Sequence, residues 1–226
     1  MSTTGRPNIL VVIFDSLGQA DFEALAGDLP RLSALRASSL NFSNTFVCSP
    51  EHGPARASLF TGLDMAAHGV WTDGVALPGR EAPFPELFAS NGYHTWLVGR
   101  RQLAGVSNWT TEHARPGEYH QFDWAHGPLH RSRQNQYLAW LEGKAPETCR
   151  EIFPRQPNPD DTTISKAQRE AVMALPDPLS FNTWVGTSAC ELVKGHPLGS
   201  PFLGVVGFVV GETMGATPTD LSLIHI

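Results

Sequence analysis

Glu51-His52-Gly53-Pro54-Ala55-Arg56 is the segment of this chain best suited to chemistry. Pro54 heads a run of good helix formers, Ala-Arg-Ala-Ser-Leu-Phe. Proline at the first helical position gives up only an amide that has no partner there. The spacing therefore predicts a helix starting near Pro54, with residues 51–53 as the turn into it. The unpaired N–H groups and dipole of a helix start attract an anion. Arg56, in the first turn, adds a planar positive fork that matches a sulfate or phosphate oxyanion. A side chain at position 52 is then expected at the mouth of an anion seat, where a nucleophile belongs.

The elements around this turn must hold it against a second group. Asn8-Ile-Leu-Val-Val-Ile-Phe14 is a continuous apolar, β-branched run, which predicts a strand buried on both faces and hence part of a parallel sheet. Asp15 and Ser16 follow at its carboxyl end, the edge where α/β sheets bind ligands. Leu29 to Ser38 spaces its apolar residues by three and four and predicts a surface helix. Asn41 to Val47 is expected to be a short strand. Pro83 to Ser90 predicts a helix, Tyr93 to Gly99 and Pro201 to Val210 two more central strands, and Phe181 to Val193 a helix. Val106 to His130 is expected to be an irregular excursion, Gln134 to Leu141 a helix closed by Gly143, and Glu147 to Asp161 a loop. Strands alternating with helices predict an α/β fold with a mostly parallel central sheet and helices on both faces.

These stretches, in this order, resemble the sulfatases of the alkaline phosphatase superfamily, closest to the arylsulfatase and phosphonate monoester hydrolase type. Arg6-Pro-Asn-Ile-Leu-Val-Val-Ile-Phe-Asp15 is similar to their opening strand and first metal ligand. Ser49-Pro-Glu-His-Gly-Pro-Ala-Arg-Ala-Ser-Leu-Phe-Thr-Gly62 is similar to their nucleophile segment, and His68-Gly-Val to a motif that follows it. Gly92-Tyr-His-Thr-Trp-Leu-Val-Gly-Arg-Arg-Gln-Leu-Ala-Gly105 is similar to a Gly-Tyr-x-Thr…Gly-Lys-x-His-Leu-Gly segment. The likeness is specific from Arg6 to Gly105 and only general from Val106 to Val210. The fold implied is an incomplete alkaline phosphatase-like sandwich.

The resemblance implies a hydrolase of sulfuric, phosphoric or phosphonic esters acting on a small anionic ester. It implies a divalent metal in the full-length protein, Ca2+, Mg2+ or Mn2+, with Asp15 as a ligand. It places His52, Arg56, Arg100 and Gln102 at catalytic positions. Family members oxidise a Cys or Ser to formylglycine; position 52 holds His, so formylglycine is not expected there. His52 has three readings: a dead or repurposed substitution, a metal ligand through a neutral ring nitrogen, and a nucleophile. Cys48 begins a Cys-Ser-Pro, but that register puts His52 where Arg is required. Ser16 stands where a second acidic ligand is common, and Arg100-x-Gln102 replaces Lys-x-His. The alternative function is a catalytically silent anion- or partner-binding protein.

Without the resemblance, Asp15 and Ser16 read as helix caps, Asp73 as a turn residue before Gly74, and His68 as a satisfied loop histidine; the resemblance adds that family members often have an Asn near position 73 that touches the site. Net charge is −6 over 226 residues with no basic block, so no nucleic-acid partner is expected. No apolar run is long enough to cross a bilayer, and the first residues carry no apolar signal core. Three cysteines at no metal-like spacing point to reduced thiols and a cytoplasmic setting. Leu221 to Ile226 is encodable by CTG TCT CTT ATA CAC ATC, a transposon end used in sequencing adapters. Residues 221–226 are therefore expected to be a non-native tail, and 1–220 the N-terminal part of one sulfatase-like domain.

Overall fold

A computed structural model of the chain describes residues 5–25, 29–105, 113–125, 135–154 and 165–209. Four parallel strands, β1 (Ile9–Asp15), β2 (His94–Gly99), β3 (Gln121–Trp124) and β4 (Phe202–Val209), form one sheet in the order β1-β4-β2-β3. The helices are α1 (Gln19–Leu25), α2 (Pro30–Ala37), α3 (His52–Thr61), α4 (Met65–His68), α5 (Phe84–Ser90), α6 (Gln136–Lys144), α7 (Pro146–Ile152), α8 (Lys166–Met173) and α9 (Phe181–Gly195).

The period-two alternation of a strand sorts the apolar runs onto two faces. Trp96, Val98, Phe202, Val206 and Phe208 pack under Tyr137 and Leu141 of α6 and Trp184, Val185 and Ala189 of α9. Leu97 and Val205 face the other way, onto Ala57 and Phe60 of α3. Burying one such leucine or valine contributes about 1.5–3 kcal/mol. Gly204 makes room on the first face, since a Cβ there would lie 2.2 Å from the Trp96 ring. This is the expected α/β sheet covered on both faces.

Several boundaries differ from expectation. Residues 41–47 form no strand; Phe42 and Phe46 are more than 80% exposed, and among the described residues no strand pairs with them. β3 lies inside the stretch expected to be irregular, because four residues with polar flanks give too short a pattern to stand out. α7 occupies the start of the expected loop: Pro146 is a helix-starting proline, with Glu147 in the first turn. α6 runs through Gly143 to Lys144. α8 carries a Ser165–Gln168 capping box, a signal the sequence does offer. α3 starts at His52, two residues early, so Pro54 is its third residue; the first four N–H groups of a helix lack intrahelical partners, so the ring costs nothing there either. The tail 221–226 lies outside the described residues.

At the amino edge of the sheet, away from the Asp15 end, the His94 ring stacks on His120 (centroids 4.6 Å) and His196 (5.6 Å). His120 Nδ1 accepts the Thr95 N–H, and His196 Nε2 lies 2.7 Å from the Ser200 carbonyl. Burial, then the charges of His120 and His196, hold the His94 pKa below its ordinary 6.5. The unfolded chain therefore binds the proton more readily, and stability from this cluster falls as pH drops below 6.5. We expect His94→Phe to flatten the loss of thermal midpoint as pH falls below 6.5. A wild-type slope in the variant would contradict this.

Candidate active site

All four strands end at the same edge, and three segments converge there. β1 delivers Asp15 and Ser16, β2 delivers Arg100, Arg101 and Gln102, and α3 begins with His52 and carries Arg56. Two glycines set how the strand ends meet. A Cβ at Gly99 (φ +97°) would lie 2.3 Å from the Gly207 carbonyl oxygen, and one at Gly207 would lie 2.6 Å from the Arg100 carbonyl oxygen. Only hydrogen at both positions lets β2 turn directly into Arg100 beside β4.

Asp15 and Arg56 meet in a buried ion cluster. Arg56 Nη2 donates to both Asp15 oxygens, at 2.8 and 2.9 Å, and Nη1 donates to the Arg100 carbonyl at 2.6 Å. Arg100 Nη1 donates to Asp15 Oδ2 at 3.3 Å. All three residues are at most 5% exposed. Arg56 was expected to turn its fork to a substrate oxyanion; the oxyanion in that fork is the carboxylate of Asp15. Two guanidiniums thus converge on the Asp15 carboxylate. Asp15 is therefore an ion-pair partner, not a helix cap.

His52 stands at the lip, 29% exposed, between Ser16 and Asp73. Its Nε2 is 3.2 Å from Ser16 Oγ, and its Nδ1 is 4.0 Å from Asp73 Oδ2. Asp73 lies in the expected turn before Gly74, and its carboxylate also reaches the site. Its Oδ1 accepts the Gly53 N–H at 2.5 Å and the Gln102 Nε2–H at 3.4 Å, so a carboxylate also occupies the start of α3. Glu51 holds the other side of this turn: its Oε2 accepts the Thr72 hydroxyl and the Asp73 N–H, which lower its pKa. Ser16 and Gln102 both have left-handed backbone, φ +61° and +57°. That conformation costs a non-glycine residue about 1–2 kcal/mol and concentrates at functional sites. Gln102, expected at a catalytic position, thus reaches Asp73 rather than Asp15.

Gly53 is required for this contact. A Cβ there would sit 2.8 Å from Asp73 Oδ1. Gly53→Ala is expected to push the carboxylate off the helix start and cost about 1–3 kcal/mol in thermal or urea unfolding. An unchanged midpoint would contradict that placement.

His68 is fully buried, with Nδ1 accepting the Val70 N–H and Nε2 2.8 Å from Ser58 Oγ, so it is the satisfied histidine expected, at the end of α4 rather than in a loop. Cys48 Sγ contacts the Pro54 carbonyl at 3.8 Å. His126 and His130 lie outside the described residues. Among the described residues, no group of three or more His, Cys, Asp or Glu side chains is placed to hold a metal ion. Asp15, the expected ligand, spends its oxygens on two arginines, and His52 faces Ser16 and Asp73. The described residues therefore do not by themselves fit a divalent metal. Among them, no helix is long and apolar enough to cross a membrane.

The sulfatase family model matches residues 7–167. An uncharacterized sulfatase, YidJ, of Escherichia coli K12 is 29% identical over 170 residues, covering 73% of this chain and 33% of its own length. An ulvan-active sulfatase of Formosa agariphila is 33% identical over 118 residues, covering 50% of this chain and 23% of its own. Among solved structures, a phosphonate monoester hydrolase from Silicibacter pomeroyi aligns over 90% of this chain and 41% of its own, with a TM-score of 0.61 at 18% identity. The chain spans about a third of the length of the first of these relatives.

Proposed function

Given that the chain belongs to the sulfatase family, we propose that it hydrolyses a small sulfuric, phosphoric or phosphonic ester at the lip formed by Asp15–Ser16 and the start of α3. The observation that carries this is the 2.8 Å Arg56–Asp15 contact, which joins the tip of β1 to the helix start with His52 beside them. Arg56 and Arg100 bring fixed positive charge to this edge of the sheet, and preorganised charge of that kind stabilises an oxyanion as it develops. His52 is placed to accept and return a proton at Nε2, the general acid–base role that accelerates such reactions about 10²–10⁴-fold. Gln102 holds Asp73, and Asp73 faces His52. We place residues 1–220 in one catalytic domain and the protein in the cytoplasm, the latter on its three cysteines.

The test is release of 4-nitrophenolate from 4-nitrophenyl sulfate, 4-nitrophenyl phosphate and 4-nitrophenyl phenylphosphonate. Turnover of at least one, lowered about 100-fold or more by His52→Ala, is expected. No release from any of the three contradicts the proposal. The rival reading, a silent anion-binding protein, draws on His52 standing where the resembled motif has Cys or Ser. It predicts binding of inorganic sulfate or phosphate without turnover.

A further inference from the structure

Three side chains at the lip stand in the order of a charge-linked nucleophile. Ser16 Oγ is 3.2 Å from His52 Nε2, and His52 Nδ1 faces Asp73 Oδ2 at 4.0 Å. We infer that Ser16 is the nucleophile of this chain, with His52 as its general base and Asp73 as the residue that positions His52. This rests on the hydrolase reading of the same site and moves the covalent step from position 52 to position 16.

Four observations support it. Ser16 is exposed and directly follows a parallel strand, with backbone at φ +61° that L residues rarely adopt. A sharp strand-end turn of this kind lifts a hydroxyl out of the sheet edge. The negative Asp73 opposite Nδ1 favours the ring form with the proton on Nδ1, leaving the Nε2 lone pair for the Ser16 hydroxyl. Asp73 is fixed by the Gly53 N–H and Gln102, and the missing Cβ at Gly53 lets it approach. The 4.0 Å gap to Nδ1 is of the kind that closes when substrate binds. The arrangement is recognised by geometry and roles, not by chain order.

The step balances as follows. Ser16 Oγ attacks the phosphorus or sulfur of the ester, and its proton passes to His52 Nε2. The bond to the leaving oxygen breaks, and that oxygen departs with its electron pair, taking the proton from His52. Water then attacks the Ser16-bound centre, giving a proton to Nε2, and Ser16 Oγ leaves and recovers it.

The probe is 4-nitrophenyl phenylphosphonate, whose leaving group departs without a general acid, so formation of the adduct is read alone. The wild-type protein is expected to release a burst near one equivalent of 4-nitrophenolate and to carry a phenylphosphonyl group on the peptide holding Ser16. Ser16→Gly removes the hydroxyl and suits φ +61°, so it is expected to fold as well as wild type and to lose both burst and adduct. His52→Asn is expected to slow the burst about 100-fold or more. Asp73→Asn is expected to shift the pH profile of the burst, a readout that a purely structural role would not move. An adduct on His52, or a burst undiminished in Ser16→Gly, overturns the serine assignment and leaves the hydrolase reading standing. Failure of the wild type to release nitrophenolate from this ester and from the sulfate and phosphate overturns both.

Discussion

Asp15→Ala is expected to lower the free energy of unfolding by about 3–5 kcal/mol, because it takes a buried carboxylate away from two buried guanidiniums. Arg56 and Arg100 are at most 5% exposed, and both reach the Asp15 carboxylate. Typical domains are stable by only about 5–15 kcal/mol, so this one substitution removes a large part of the total. Urea unfolding reads it directly. The vacated fork is also a ready site for a free anion, so inorganic phosphate should restore part of the variant's stability by mass action. A loss below about 1 kcal/mol would show that the cluster contributes no more than a surface pair.

Glu118→Ala is expected to cost a similar amount for the same reason, away from the lip. Glu118 is fully buried and receives Arg101 Nε at 3.0 Å, Arg101 Nη2 at 2.8 and 2.7 Å, and the Arg115 N–H at 3.0 Å. Its own carbonyl accepts the Thr95 hydroxyl on β2. Removing the carboxylate leaves Arg101 buried beside β2 and unties the segment before β3, a cost of about 3–5 kcal/mol. The exposed Lys166–Glu170 pair is the control: Glu170→Ala should change stability by less than about 1 kcal/mol. Equal losses from Glu118→Ala and Glu170→Ala would refute the distinction.

The sheet was legible in the sequence because its strands are unbroken apolar runs. β2 and β4 are buried on both faces, whereas β1, at the end of the strand order, is only part-buried with Leu10 exposed, contrary to the expectation of a strand buried on both faces; the expected ends of all three fall within a residue or two of those found. β3 was not legible, since Gln-Phe-Asp-Trp is short and half polar. Residues 41–47 read as a strand because Phe42, Phe46 and Val47 have strand propensity, yet propensity without a pairing neighbour makes no strand. At the site, Asp15, His52, Arg56 and Arg100 were legible from spacing and family resemblance. Asp73 was legible in part, as a turn residue near where the resembled family often has an Asn at the site; its contact with Gly53, 20 residues earlier, carries no sequence signal. Ser16 read as a helix cap because its contact with His52, 36 residues away, exists only once β1 and α3 are side by side.

The most direct test of the account is a crystal structure of the protein soaked with tungstate, a tetrahedral oxyanion heavy enough to be located without ambiguity. The account predicts the anion at the lip, within hydrogen-bonding distance of Ser16 Oγ and His52 Nε2. Tungstate bound elsewhere on the molecule, with that lip left to solvent, would contradict it.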